Sequence, residues 1–374
     1  MAVKRDALVR LLLLTVVARG ASGAKVPAMF VFGDSTADVG NNDYLPGSSA
    51  RANFPHNGVD FPGGKPTGRF SNGLIGVDFL AFSMGFKKSP PPYLSLVANA
   101  ANSSSSSSSI EVTRNVTKAA ASYMTGANFA SGGSGVLDST GTTINMTKQI
   151  EYFSDLKDQM KTRLNANRVS VLLSKSIFLI SAGGNDAFDF FSQNKSPDYT
   201  GVQQFTEAVI STYDSHVKTL YNLGARKFAV IDVPLIGCCP YWRSQNPTGE
   251  CIEPLNQLAK SLNDGIRDLF TNLRSEMQRM KYSIASSYEL VSSLIENPEV
   301  AGFEEVKSAC CGGGRLNAEE GCTPKSSCCS DRGKYLFWDL LHPTQATSKF
   351  AGLAFYDGLA QFVSPITFKQ LVEA

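Results

Sequence analysis

The chain has 374 residues, 43% of them hydrophobic and 18% charged, a composition that can bury a large core and excludes a disordered tail or a collagen-like repeat. Lys and Arg number 35 against 33 Asp and Glu, a formal charge of +2, and no dense basic run offers a surface that tracks phosphates. Nothing in this balance points to nucleic acid as a partner.

Residues 1–23 place Lys4, Arg5 and Arg10 ahead of an apolar run from Leu11 to Ala18, followed by the small residues Ala21, Ser22 and Gly23. That is the order of a signal peptide. The run is far shorter than the roughly 20 residues needed to span a bilayer, and no later stretch approaches that length. Its removal takes away four basic residues and one acid and leaves a product close to neutral. The expectation is a protein secreted to the extracellular space or cell wall, without a transmembrane segment, with residues 24–374 forming a single domain.

The first predicted element is a strand, Ala28 to Phe32, which stops at Gly33-Asp34-Ser35 and leads into Asp38, Gly40, Asn41 and Asn42. In open α/β sheets ligands bind at the carboxyl edge of the strands, and a following helix start aims backbone N–H groups at negative charge. On this local sequence Ser35 reads equally as a nucleophile and as a helix N-cap. Sequons follow at Asn102, Asn115, Asn145 and Asn194 as candidate glycan acceptors, the last weakened by Pro197. The tract Ser103 to Ser109 reads as a solvated loop.

Ala127 to Gly135 is a strand end running into a Gly-rich loop, where the unshielded N–H of a residue such as Gly132 can approach a ligand. Ile150, Phe153, Leu156, Met160 and Leu164 then share one face of a helix. The strand Ile177 to Ser181 ends at Ala182-Gly183-Gly184-Asn185-Asp186 and presents the Asn185 amide at the same edge. Strands at Lys227 to Val233 and Tyr282 to Ala285 flank a helix whose apolar face carries Leu255, Leu258, Leu262, Ile266, Leu269 and Leu273. This alternation predicts an α/β fold with a mainly parallel central sheet.

All eight cysteines lie beyond Gly237. Cys238, Cys239, Cys251, Cys310, Cys311, Cys322, Cys328 and Cys329 are candidates for disulfides that staple loops at 235–252 and 308–332, with the pairing left open. Zinc fits less well, since there is no CxxC knuckle and none of the three histidines stands at finger-like spacing from a cysteine pair. Neither a metal nor another cofactor is expected.

Near the end stands Asp339-Leu340-Leu341-His342-Pro343-Thr344. A serine hydroxyl needs a base to accept its proton, and the base needs a partner that fixes its tautomer. An acid three residues before a histidine can supply both, although Asp-x-x-His alone is also common on surface turns.

The blocks FGDSTADVGNN, NFASGGSG, SAGGND and DLLHPT, in this order and over nearly the whole chain beyond the leader, resemble the GDSL esterase/lipase family of plants, within the SGNH hydrolases. The runs Gly68-Arg69-Phe70-Ser71-Asn72-Gly73 and Cys310-Cys311-Gly312 resemble the plant branch as well. The resemblance implies a three-layer α/β/α sandwich, flavodoxin-like in layout, with the site open at the carboxyl edge of the sheet. It implies Ser35 as nucleophile, Asp339 as orienting acid and His342 as general base. Gly132, Asn185 and the Ser35 backbone N–H would be the oxyanion donors. Leu340 and Leu341 depart from the family, which more often has a small or β-branched residue just before the histidine. The expected activity is that of a secreted esterase or lipase working through an acyl-enzyme on Ser35. Its substrate would be a small-molecule or polymeric ester, from lipid to acylated cell-wall material, held in a shallow open site. Two alternatives remain: acyl transfer from the same acyl-enzyme to an alcohol, and a catalytically silent secreted binding protein.

Overall fold

The computed structural model describes residues 23–104, 124–194 and 198–374. The expected leader, Asn115 and most of the serine tract lie outside the described residues, and Asn102 is described only as helix backbone.

The chain enters through β1 (Met29–Gly33), passes α1 (Gly76–Ser83) and α2 (Tyr93–Ser104), and returns as β2 (Gly126–Asn128). Helices α3 (Met146–Arg163) and α4 (Ala166–Lys175) lead to β3 (Ile177–Ser181). Helices α5 (Gly184–Gln193) and α6 (Tyr199–Leu223) lead to β4 (Lys227–Ile231). From there α7 (Pro240–Gln245) and α8 (Glu253–Glu276) lead to β5 (Lys281–Ala285), which α9 (Ser287–Glu296) follows. The short strands β6 (Glu305–Ala309), β7 (Cys311–Gly312), β8 (Ser327–Cys328) and β9 (Tyr335–Phe337) precede α10 (Gln345–Asp357), β10 (Val363–Ser364) and α11 (Phe368–Glu373).

Six strands form the central sheet in the order β10-β5-β4-β3-β1-β2. All are parallel except β10, which runs antiparallel to β5. The predicted strands are all present, Ile177–Ser181 with the expected bounds and the others with shifted ends. Strand β4 stops two residues short of Val233, because the Val233 N–H is taken by the Asn263 side chain on α8 at 2.8 Å instead of by a neighbouring strand.

One row across the sheet explains how the Phe-rich composition is used. Phe30, Phe178, Phe228 and Tyr282 stand opposite one another on β1, β3, β4 and β5, so the two-residue period of the strands puts all four rings on one face. Phe153 of α3 meets Phe30 at 5.0 Å between centroids, and Phe270 of α8 meets Phe228 at 6.2 Å and Tyr282 at 5.5 Å. That face is covered by α3, α6 and α8, which pack on one another, and the other by α1, α10 and α11. The result is the α/β/α sandwich of the expected class. Among the described residues, no helix is long and apolar enough to cross a membrane.

The end of β1 is fixed by close approach. Gly33 has φ +137° and lies so near β3 that a Cβ would stand 2.0 Å from the Ser181 carbonyl oxygen, a place only glycine can occupy. The buried Gln149 of α3 then locks it: its Oε1 accepts the Gly33 N–H and its Nε2 donates to the Gly33 carbonyl, both at 2.9 Å. Ser35 follows two residues later, held by a backbone that cannot shift without leaving buried polar groups unpaired.

Three disulfides form: Cys238–Cys251, Cys310–Cys329 and Cys311–Cys322. They fall in the two loops expected to be stapled. Cys239 and Cys328 do not pair, which corrects the expectation for all eight. Cys328 faces Cys311 across the β7–β8 ladder, but the Cys311 sulfur is already bonded to Cys322. Cys239 is turned into the main core, where its thiol approaches the Leu341 carbonyl oxygen at 3.7 Å and burial pushes its pKa up to about 12. Of the described sequons, Asn194 is exposed at the end of α5, and Asn145 caps α3 by accepting the Lys148 N–H at 2.8 Å.

Candidate active site

Ser35 and His342 are 307 residues apart, and the fold brings them into contact: His342 Nε2 lies 2.8 Å from Ser35 Oγ. The imidazole is aimed by its own turn. Asp339 Oδ1 accepts the backbone N–H groups of Leu341 and His342 at 2.9 and 2.7 Å, and the His342 carbonyl accepts the Trp338 N–H at 2.8 Å. This folds the ring back onto the same carboxylate, with Nδ1 2.9 Å from Oδ1 and 2.8 Å from Oδ2. An ionised carboxylate only accepts, so the proton sits on Nδ1 and Nε2 is left to accept from Ser35.

Both partners are buried, each 9% exposed. Burial works against either charge, but the mutual attraction and hydrogen bonding of the pair override it. Asp339 is held below the ordinary carboxylate range and His342 above its usual 6.5. A second carboxylate adds to the pull on His342. Asp34, beside Ser35, is itself pushed up to about 6 by burial, against the opposing hydrogen bonds from the Thr36 N–H and hydroxyl.

The three expected oxyanion donors differ in how they are placed. The Ser35 N–H has no hydrogen-bond partner among the described residues. Asn185, on the first turn of α5, lines the same cavity as Ser35 and His342, and one of its amide hydrogens is held by the Ser134 carbonyl at 2.8 Å. That leaves the second hydrogen for a ligand. Gly132 is not in the cavity wall, and its N–H donates to Asp38 Oδ2 at 3.1 Å. Asp38 also gathers the N–H groups of Gly40 and Asn41 at 2.7 Å. The motif residues Asn41 and Asn42 clamp the Gly-rich segment to this turn: Asn41 Nδ2 donates to the Asn128 and Ala130 carbonyls and Asn42 Nδ2 to that of Gly132, each at 2.8 Å.

Several supporting residues escape motif reading. The Phe70 ring packs on the His342 imidazole at 4.9 Å between centroids. Ser71 Oγ donates to the Pro343 carbonyl at 3.1 Å, Asn72 Oδ1 accepts the Gln345 N–H at 2.8 Å, and Gln345 Oε1 accepts the Leu74 N–H at 2.7 Å. Asn72 also donates to Asp60, which forms a two-pronged ion pair with Arg332 at 2.6 and 2.8 Å. The segment 57–74 thus straps the turn that carries the acid and the base. From the other side Cys310 and Cys311 donate to the Phe337 and Trp338 carbonyls, so two disulfides brace the same turn. The run Gly68 to Gly73 is the one sequence signal for the strap, and it carries no hint of what it touches.

Gly132 reaches the base through this strap. A Cβ added there would lie 2.6 Å from the Phe70 ring. Gly132→Ala should therefore push Phe70 off His342 and lower kcat/KM by roughly 100-fold, the scale of a 1 Å misplacement. Steady-state hydrolysis of a chromogenic ester measures it, and a loss below threefold would mean that the ring does not steady the base.

A serine, an imidazole and a carboxylate in hydrogen-bonded series at the carboxyl edge of a parallel sheet define the class of α/β proteins built around a nucleophilic serine. The comparisons specify the member. Residues 29–355 match the family model of GDSL-like lipases and acylhydrolases. An Arabidopsis thaliana GDSL esterase/lipase is 39% identical, covering 93% of this chain and 90% of the relative. Two others from the same plant are 32% and 36% identical, over 94% and 89% of this chain and 92% and 88% of theirs. The chain belongs to the GDSL lipase/acylhydrolase family.

Proposed function

We propose that the protein hydrolyses carboxylic esters through an acyl-enzyme on Ser35. The observation that carries this reading is the 2.8 Å contact between Ser35 Oγ and a His342 ring held by Asp339. His342 Nε2 takes the Ser35 proton as Oγ bonds to the ester carbonyl carbon. The oxyanion is met by the Ser35 N–H and Asn185 Nδ2, and Gly132 joins them only by sharing its N–H with Asp38. Collapse breaks the bond to the alcohol, which leaves with the proton from His342. Water then gives a proton to His342 and its hydroxyl to the acyl carbon, and release of the acid restores Ser35.

Family membership and the names of the relatives support this chemistry. The three disulfides favour an exported protein, since such bonds persist in oxidising compartments, and exposed Asn194 and partly exposed Asn145 are then available for glycans. A fluorophosphonate probe should label the purified protein on the peptide that contains Ser35, stoichiometrically with loss of esterase activity. Labelling elsewhere, or full activity after labelling, would refute the assignment.

A further inference from the structure

The site is not the shallow depression anticipated from the motifs. A cavity of about 160 Å³ begins at Ser35 and follows the carboxyl edge of the sheet. A water-sized group needs about 10–15 Å³ of such space, so roughly ten fit, where an acetyl methyl would use one. The cavity passes Ala182 at the end of β3 and Val233 just beyond β4, runs beneath Ala351 and Phe355 of α10, and reaches Leu290 and Val291 of α9. Because α9 follows β5, the path from Ser35 crosses three strand spacings, about 14 Å.

Polar groups cluster beside Ser35, and of the hydroxyls further along the wall Ser348 on α10 is the one without a hydrogen-bond partner among the described residues. Asp34, Thr36 and Asn185 stand beside Ser35. At the far end Asp232 and Ser287 line the wall, but Asp232 is already satisfied by Arg267 at 2.9 Å, Ser286 at 2.8 Å and the Tyr288 N–H at 3.2 Å, and the Ser287 hydroxyl is spent on Asp232 as well. A hydrated sugar entering there would lose the water on all its hydroxyls and gain at most the single free hydroxyl of Ser348, whereas each methylene would be freed from water.

We propose that this channel binds the acyl chain of the substrate, an unbranched aliphatic group of medium length that extends from the Ser35 carbonyl past β3 and β4 and ends against Leu290 and Val291. The proposal rests on Ser35 as the nucleophile and goes beyond it by stating which side of the ester is read and how far. It disfavours acetylated polymers and phenolic acid esters as the natural substrates.

The test is a series of p-nitrophenyl esters from acetate to palmitate, each below its micellar concentration, beside a series of acetate esters whose alcohol lengthens instead. In the acyl series kcat/KM should rise by roughly two- to fourfold per methylene to about decanoate and then level or fall, while the alcohol series stays flat. Val291→Trp shortens the channel at its half-buried far wall, and the ratio of decanoate to butyrate kcat/KM should drop at least tenfold; Ala351→Leu, which narrows it from α10, should act in the same direction if the first variant folds poorly. A flat acyl profile, a preference for acetate, or a rise in the alcohol series would overturn the channel assignment. Fluorophosphonate labelling of Ser35 in each protein keeps that failure distinct from failure of the nucleophile itself.

Discussion

Ser35→Ala and His342→Ala should each lower kcat for a chromogenic ester by roughly 10⁵- to 10⁶-fold, and the double variant should be no slower than the worse single one, because nucleophile and base act as a unit. The reasoning is geometric. With the base 2.8 Å away and its other nitrogen fixed by Asp339, the hydroxyl is activated in place; without either partner only water remains, with whatever help the oxyanion donors give. The folded state of Ser35→Ala should change little, since Ser35 is only half-buried, whereas His342→Ala loses the Phe70 contact and leaves buried Asp339 without its partner and should melt lower. Thermal melts beside the kinetics check this, and either single variant keeping more than about a hundredth of wild-type turnover would refute the triad.

Asp339→Asn tests the acid separately. The amide preserves shape but donates where the carboxylate accepted, so Nδ1 loses its proton acceptor and Nε2 takes the proton. A loss of about 10⁴-fold in kcat is expected, as for a wrong imidazole tautomer. The pH profile adds a second readout. The working base is neutral, and Asp339 and Asp34 hold His342 above 6.5 in spite of its burial. The acid limb of wild-type kcat/KM should therefore have its midpoint above 6.5, with activity falling as pH drops through it. In Asp339→Asn the largest attraction is gone and burial dominates, so the limb should move to lower pH while the plateau falls. An unmoved midpoint would mean that the limb reports another group.

The path from residues to site shows where local sequence is strong. Strands around Phe30, Phe178 and Phe228 are legible because they are short β-rich runs bounded by turn residues, and two of the three longest helices, α3 and α8, because Phe153 and Leu269 fall on continuous apolar faces. Ser35, Asn185, Asp339 and His342 stand out only because their four blocks occur together and in one order, since each block alone has a common structural reading such as a helix cap or a turn. Phe70, Asn72 and Gln149 do not, since a phenylalanine, an asparagine and a glutamine announce no partner. Their roles exist only through neighbours more than 100 residues away, His342, Gln345 and Gly33. Gly132 shows what a motif leaves out: it suggests a donor, and the structure adds that buried Asp38 accepts the same N–H.

By itself the chain order of strands, helices and motif blocks determined the class of fold and singled out the serine, histidine and aspartate that the proposed reaction uses. These follow from local period, residue type and block order. Tertiary structure alone decided which cysteines bond, what steadies the imidazole, and that the site continues into an apolar channel ending on α9. Those are properties of distances between segments remote in sequence, set by how helices close over the sheet, and no local pattern encodes them.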